Sequence, residues 1–284
     1  MTFQPVYEQT RMPDVVGNVL LLGDTHGNLA WTCRVFEHAA TLPVDGVLQL
    51  GDFGYWPRDS MGKRYLIAAE ETLAAHDLPL WFIDGNHDDH DRLGSAYRSP
   101  APVKITDLIT YLPRGTRWQW GGTTWVALGG ASSVDRDWRV PGMSWFDTET
   151  MSDAQRAAVI AEGPADIVVA HDAPWGVPFL VDHYQLDTPP EQRGNWPADA
   201  LRDSDQHMKS LAALADALHP RAWFHGHHHI YYRDHVGTAW GGMDVCGLNC
   251  DGQPLREAGI VVDRDGTVIP WAKSGPGLIS LGEP

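Results

Sequence analysis

Leu80-Trp81-Phe82-Ile83-Asp84-Gly85-Asn86-His87-Asp88 is the stretch from which the fold is read. Four consecutive apolar residues after Pro79 form a strand, and the chain then stops on an amide, an imidazole and a carboxylate. In open α/β sheets, ligands sit in the crevice beyond the carboxyl ends of the strands. Taken alone, an Asn-His-Asp turn could be solvated and inert. Its weight comes from four other apolar runs that end in the same kind of polar cluster.

Two of these runs lie upstream. Val15 to Leu22 ends in Gly23-Asp24-Thr25-His26-Gly27-Asn28, and a helix is predicted over Leu29 to Ala40, with Leu29, Trp31, Val35, Phe36 and Ala39 on one face. Gly46 to Leu50 ends in Gly51-Asp52 and the aromatic loop Phe53-Gly54-Tyr55-Trp56-Pro57. A helix over Arg64 to His76 then leads to the opening strand. Three strand–loop–helix units in succession argue for an α/β fold with a parallel sheet and crossover helices.

Downstream the runs shorten. Gly121-Gly122, flanked by Trp118, Trp120 and Trp125, marks a hairpin. Ser152-Asp153-Ala154-Gln155 fits a capping box, and Gly163-Pro164 closes that helix. Asp166 to Ala170 is a strand ending in His171-Asp172. Residues 175–205, rich in Pro, Asp and Gly, show no period and read as an inserted lid or binding loop. A helix from His207 to Leu218 precedes the short strand Ala222 to Phe224, which ends in His225-Gly226-His227-His228-His229. Ile230 to Trp240 and Ile260 to Ile269 alternate as strands, the latter turning at Asp265-Gly266. No repeat or linker divides the chain, so a single domain over 1–284 is expected.

Composition narrows the function. With 21 basic and 37 acidic residues the net charge is −16, a field that repels polyanions and disfavours tight binding of long nucleic acids. Small phosphorylated molecules stay within reach, because a bound cation inverts the field locally. No apolar run approaches the ~20 residues that span a bilayer. Met1 to Pro13 lacks the basic start and apolar stretch of a secretory signal. Cys33, Cys246 and Cys250 are too few and odd in number for a disulfide framework, and Cys246-x-x-x-Cys250 reads as two plain thiols. A cytoplasmic, reduced protein is the expectation. Fourteen histidines are many for this length, and metal binding is one reason for them.

The five strand ends carry Asp24 with His26, Asp52, Asn86 with His87, His171, and His227 with His229. Any one cluster alone is more often structural. Together, imidazole, carboxylate and amide donors suit borderline divalent metals. Asp24, His26, Asp52, Asn86, His171, His227 and His229 exceed what one ion needs and suit two ions sharing a carboxylate. His38, His76 and His219 read as surface residues, His228 points to the opposite face of its strand, and His225 is either a supporting partner or a core residue.

In order, G-D-x-H-G, G-D, G-N-H-D, H and G-H-x-H resemble the calcineurin-like metallophosphoesterase superfamily, from Gly23 to His229. The resemblance implies a four-layer αββα sandwich of two mixed β-sheets flanked by helices. It implies that Asp24, His26 and His229 hold one divalent ion and Asn86, His171 and His227 the other, with Asp52 bridging. Manganese is the foremost candidate, with iron, zinc, cobalt or nickel as alternatives. His87 is the implied acid at the leaving oxygen, with Asp88 orienting it and raising its pKa. The implied nucleophile is a hydroxide bridging the metals, attacking phosphorus in line.

The protein-phosphatase branch carries an Asp-Arg pair after the second block. Here that place holds Phe53-Gly54-Tyr55-Trp56, although Arg58, Arg92 or Arg136 could replace the arginine. The third block, G-N-H-D, is similar to the cyclic-nucleotide phosphodiesterase branch. Tyr55, Trp56, Trp138, Trp145 and Trp175 are candidates for stacking on a base, against the plainer reading that they are packing residues. A phosphodiesterase on small nucleotides, such as 2′,3′- or 3′,5′-cyclic nucleotides, is the expectation. The alternatives are a broad phosphomonoesterase or Ser/Thr phosphatase, a repair-type nuclease, and a non-catalytic metal-binding scaffold.

Overall fold

A computed structural model of the chain describes residues 3–14, 16–94, 99–194 and 196–270. Val15 of the first apolar run, and 271–284 of the expected 1–284 domain, lie outside the described residues.

Val19 and Leu21 face one side of their strand and Leu20 and Leu22 the other, and all four are fully buried. A strand covered on both faces has to be apolar throughout, which is why no polar alternation marks it. This strand, β2 (Asn18–Leu22), pairs in parallel with β3 (Val47–Gln49). The parallel set continues through β4 (Leu80–Phe82) to β6 (Ile109–Tyr111). Antiparallel strands extend both sides: β5 (Val103–Lys104) and β1 (Glu8–Gln9) beyond β6, and β13 (Gly259–Asp263) and β14 (Val268–Ile269) beyond β2.

A second sheet has a parallel centre of β8 (Thr123–Leu128), β9 (Ile167–Ala170), β10 (Ala222–His225) and β12 (Met243–Gly247). β7 (Arg117–Trp120) and β11 (Tyr232–Val236) close it as antiparallel edges. Among the described residues the sheets thus hold eight and six strands, both mixed.

Helices α1 (Leu29–Ala39) and α2 (Ser60–His76) cover the outer face of the first sheet, where Val35, Phe36, Leu66 and Leu73 pack with Leu20, Leu22 and Phe82. On the far side α4 (Asp153–Ala161), α5 (Pro178–Tyr184) and α6 (Ala198–Leu218) cover the second, with Val159, Leu180, Leu211 and Leu214 among Val126, Val168 and Trp223. Two short α-helices, α3 (His90–Leu93) and α7 (Leu255–Ala258), are also present among the described residues. Between the sheets, Leu21, Leu48, Trp81 and Ile83 share a core with Trp120, Trp125, Val169 and Phe224. Rings of Trp81, Trp118, Trp120 and Trp125 meet there at centroid distances of 5.3 to 6.0 Å. Such pairs contribute about 0.5–1.5 kcal/mol each beyond their burial. The four layers are helix, sheet, sheet, helix, as the resemblance implied.

Three local expectations change. The stretch 175–205 contains α5, which begins at Pro178, where a missing N–H costs nothing, and ends at Gln185 in the left-handed conformation. The last long helix starts at Ala198 instead of His207, its polar outer face having hidden the period. β12 was not foreseen, because Gly247 and Asp244 interrupt its apolar pattern. The capping box at Ser152 and the Gly121-Gly122 hairpin are present as read. No described helix is long and apolar enough to cross a membrane.

Candidate metal centre

β2, β3, β4, β9 and β10 are parallel within their sheets, so their carboxyl ends carry the five polar clusters to one edge of the sandwich. The glycines of the clusters let candidate ligands from different strands approach. A Cβ on Gly85 would lie 2.1 Å from Asp52 Oδ1, and one on Gly226 would lie 2.1 Å from Asp24 Oδ1. The turns are also strained: His26, Asp52, His227 and His229 have φ between 45° and 64°, a region costly for residues with a Cβ. Three of the four other described non-glycine residues in this region, Asp77, Gln185 and His219, merely end helices.

Asp24, Asp52, Asn86 and His171 are buried, at 0–2% exposure. His229 Nε2 is 3.0 Å from Asp24 Oδ2, and His26 Nε2 is 3.8 Å from the same oxygen. Asp52 faces both halves: Oδ2 is 3.5 Å from His26 Nε2, and Oδ1 is 3.5 Å from His171 Nε2. Asn86 Oδ1 lies 3.1 Å from His171 Nε2. The donor atoms form two groups, Asp24 with His26 and His229, and Asp24 with Asp52 and His171, each within 4.8 Å. The ring of His227 is outside both, 5.0 Å from that of His171.

Electrostatics favours a cation here. Burial would raise the carboxyl of Asp52, but the imidazoles of His171 and His87 outweigh it and hold it well below the ordinary range. Burial opposes protonation of His26, yet hydrogen bonds to Asp251 and Asp52 push it up to about 11. His229 is raised to about 10, its bond to Asp24 overcoming burial. Burial drives His227 down to about 3, leaving a neutral imidazole with a lone pair to offer. Two buried carboxylates among nitrogen and amide donors fit divalent metal ions, since buried charge has to be paired.

Residues 17–231 match the family of calcineurin-like phosphoesterases. The chain belongs to this family. It is thus a metal-dependent phosphoester hydrolase. No curated protein matches it. Among solved structures, TT1561 of Thermus thermophilus is similar at 12% identity and TM-score 0.51, over 88% of this chain and 95% of that one. A second, at 12% identity and TM-score 0.52, covers 89% of this chain and 98% of its own. At that identity the likeness speaks for the fold alone.

Several partners in the phosphoesterase had no signal in the sequence. Asp251 accepts from His26 Nδ1 at 2.8 Å and from Asn28 Nδ2 at 2.7 Å, which turns His26 Nε2 towards the carboxylates. His171 Nδ1 donates to the Leu50 carbonyl at 2.8 Å and leaves Nε2 facing in. Asn86 Nδ2 donates to Ser133 Oγ at 3.0 Å, so its Oδ1 is the atom presented. Ser133 in turn donates to Glu149 and accepts from Arg139 Nη1. These contacts join residues far apart in the chain, so no local pattern announces them.

One expected role is corrected. Asp88 does not touch His87: its carboxylate accepts from the backbone N–H groups of Phe53, Gly54, Tyr55 and Gly85, at 2.8 to 3.3 Å. The carboxylate facing His87 is Asp135, with Oδ2 3.8 Å from Nε2. Nor is the His87 pKa raised: burial lowers it, with Asp52 opposing and Arg139 reinforcing. His225, fully buried, bonds Tyr232 Oη and the Gly226 carbonyl, which is a core role. His228 turns its ring to Asp172, at 2.9 Å.

A cavity of about 560 Å³ opens beside these residues, lined by Asp52, Asn86, His87, His227 and His229. Its far wall comes from α5, the following loop and α6. None of the five aromatics proposed for base stacking lines it. Tyr55 is buried, with its hydroxyl 2.7 Å from that of Tyr7, and Trp56 donates its indole N–H to the His87 carbonyl. Trp175 lies under Lys209, and Trp145 lines a separate cavity. Among the described residues, the aromatic rings that line the main cavity, apart from histidines, are Tyr184 and Trp196, with the ring of Trp138 tilted against Trp196 at a centroid distance of 5.2 Å.

Proposed function

We propose that this phosphoesterase hydrolyses small nucleotide phosphodiesters, with 2′,3′- and 3′,5′-cyclic nucleotides foremost. Asp24, His26 and His229 would hold one divalent ion and Asn86, His171 and His227 the other, with Asp52 between them. Such ions supply Lewis acidity and water activation. His87, facing the cavity and 39% exposed, is positioned to give a proton to the leaving oxygen. Asp135 steadies its ring, and the His87 backbone N–H, bonded to Asp52 Oδ1 at 2.7 Å, fixes its base.

The observation that carries the diester reading is where the arginines go. A dianionic monoester favours a bidentate guanidinium clamp. Arg58 is instead bound by Asp89 and Asp91, and Arg136 by Asp199 and Asp203. Arg92, exposed on α3, does not line the cavity, and Arg193, which does, is paired with Asp205 on the far wall. Arg139, nearer the centre, donates to Ser133 and to the Asn86 carbonyl. A singly charged diester makes the smaller demand for positive charge.

The test is a manganese-supplemented panel of cyclic nucleotides, linear diesters, monoesters and phosphopeptides, ranked by kcat/KM. Cyclic nucleotides at the head would support the proposal. Monoesters or phosphopeptides ahead of every diester would overturn it.

A further inference from the structure

The cavity wall contributed by α5, α6 and the loop between them contains a group that the chemistry at the metal ligands does not use. Arg193 lines the cavity with only 4% of its side chain exposed. Its Nη2 is paired with Asp205, itself a wall residue, while its Nε is buried with no hydrogen-bond partner. A buried donor left unmade costs free energy, and a bound acceptor removes that cost. Around it the wall is mostly apolar or aromatic, formed by Tyr184, Leu186, Trp196, Leu201 and Met208.

We propose that this wall is the pocket for a nucleobase, and that Arg193, by a small turn of its side chain, brings its unpartnered Nε donor to a neutral acceptor atom on the ring. The inference deepens the nucleotide reading above and rests on it. Three features select the occupant. The cavity is continuous with Asp52, Asn86 and His229, so a molecule whose phosphoryl group lies there extends its other end to this wall. A volume of about 560 Å³ lies within the range that holds a nucleotide-sized ligand. Asp205 neutralises Arg193, so the donor suits an uncharged carbonyl oxygen or ring nitrogen and not a second phosphate. Asp135, on the same cavity, adds further repulsion against polyphosphates.

The experiment compares the manganese-loaded full chain with its Arg193→Lys variant, which keeps a cation for Asp205 but loses the guanidinium Nε. Two quantities are read: calorimetric binding of adenosine, and the ratio of kcat/KM for 2′,3′-cyclic AMP to that for methyl p-nitrophenyl phosphate, a diester without a base. The ratio is expected to fall about tenfold in the variant, with adenosine binding weakened by a similar factor. Both substrates slowing in parallel, so that the ratio stands, would show a merely structural arginine and overturn the proposal. Leu201→Trp, which fills the pocket from α6, provides the second arm and should lower the same ratio. Should the enzyme hydrolyse no nucleotide, the reading of function fails, while adenosine binding lost on Arg193→Lys would still uphold the pocket. Absence of adenosine binding to the unaltered chain overturns the pocket itself.

Discussion

The acid role proposed for His87 depends on neighbours on three sides. Its main chain is tied to Asp52, its ring faces Asp135, and burial with the nearby Arg139 keeps its pKa below that of a free imidazole. A lowered pKa makes the imidazolium the stronger acid but leaves less of it protonated near neutral pH, so turnover that depends on this acid should fall as the pH rises. In His87→Ala, hydrolysis of diesters with alkoxide leaving groups is expected to slow by about 10²–10⁴. Nitrophenolate leaves without help, so its esters should slow far less. Steady-state kinetics on a leaving-group series decides the matter, and a flat series would remove the acid role. Asp88 teaches the complementary lesson. Read beside His87 in the chain it looked like that residue's partner, yet its oxygens hold the backbone of Phe53, Gly54 and Tyr55. Adjacency in sequence made His87 the obvious candidate, while backbone donors on another strand's loop have no side-chain signature to read.

At the level of elements, the strand ends matter more than the strands. β2, β3, β4, β9 and β10 were legible because each is a short apolar run stopped by a polar cluster, and the candidate ligands sit where the runs stop. The segment 175–205 was not legible, because α5 and the start of α6 bury few apolar residues and carry their polar side outward. The arginine that lines the cavity, and the aromatic rings beside it, come from that segment, so the polar clusters that meet at the strand ends could be read from the sequence and the far wall of the cavity could not. Glycines at the strand ends permit the approach of one loop to another. Gly226→Ala would drive a methyl group into Asp24. We expect it to lower bound metal by at least one ion per chain while the far-ultraviolet circular dichroism is kept. Full metal content by elemental analysis would refute the crowding described for this turn.

For the molecule as a whole, three apolar cores among the described residues hold the layers, and the carboxylates of Asp24 and Asp52 are buried at the candidate metal centre. A ligand that binds only the folded chain stabilises it by mass action, by about 2.7 kcal/mol per site at a hundredfold excess over its Kd. Chelation of both ions should therefore lower Tm by on the order of 10 °C at this chain length. Calorimetric scans with and without chelator test this, and an unmoved Tm would mean that the ions and the fold are not coupled. The left-handed backbone at His26, Asp52, His227 and His229 carries a consequence for drift. At such positions glycine relieves about 1–2 kcal/mol per residue. Selection for stability alone would therefore favour erasing these four side chains. A lineage released from catalysis would tend to collect glycines here first, and mutations restoring activity would meet a stability barrier at each one.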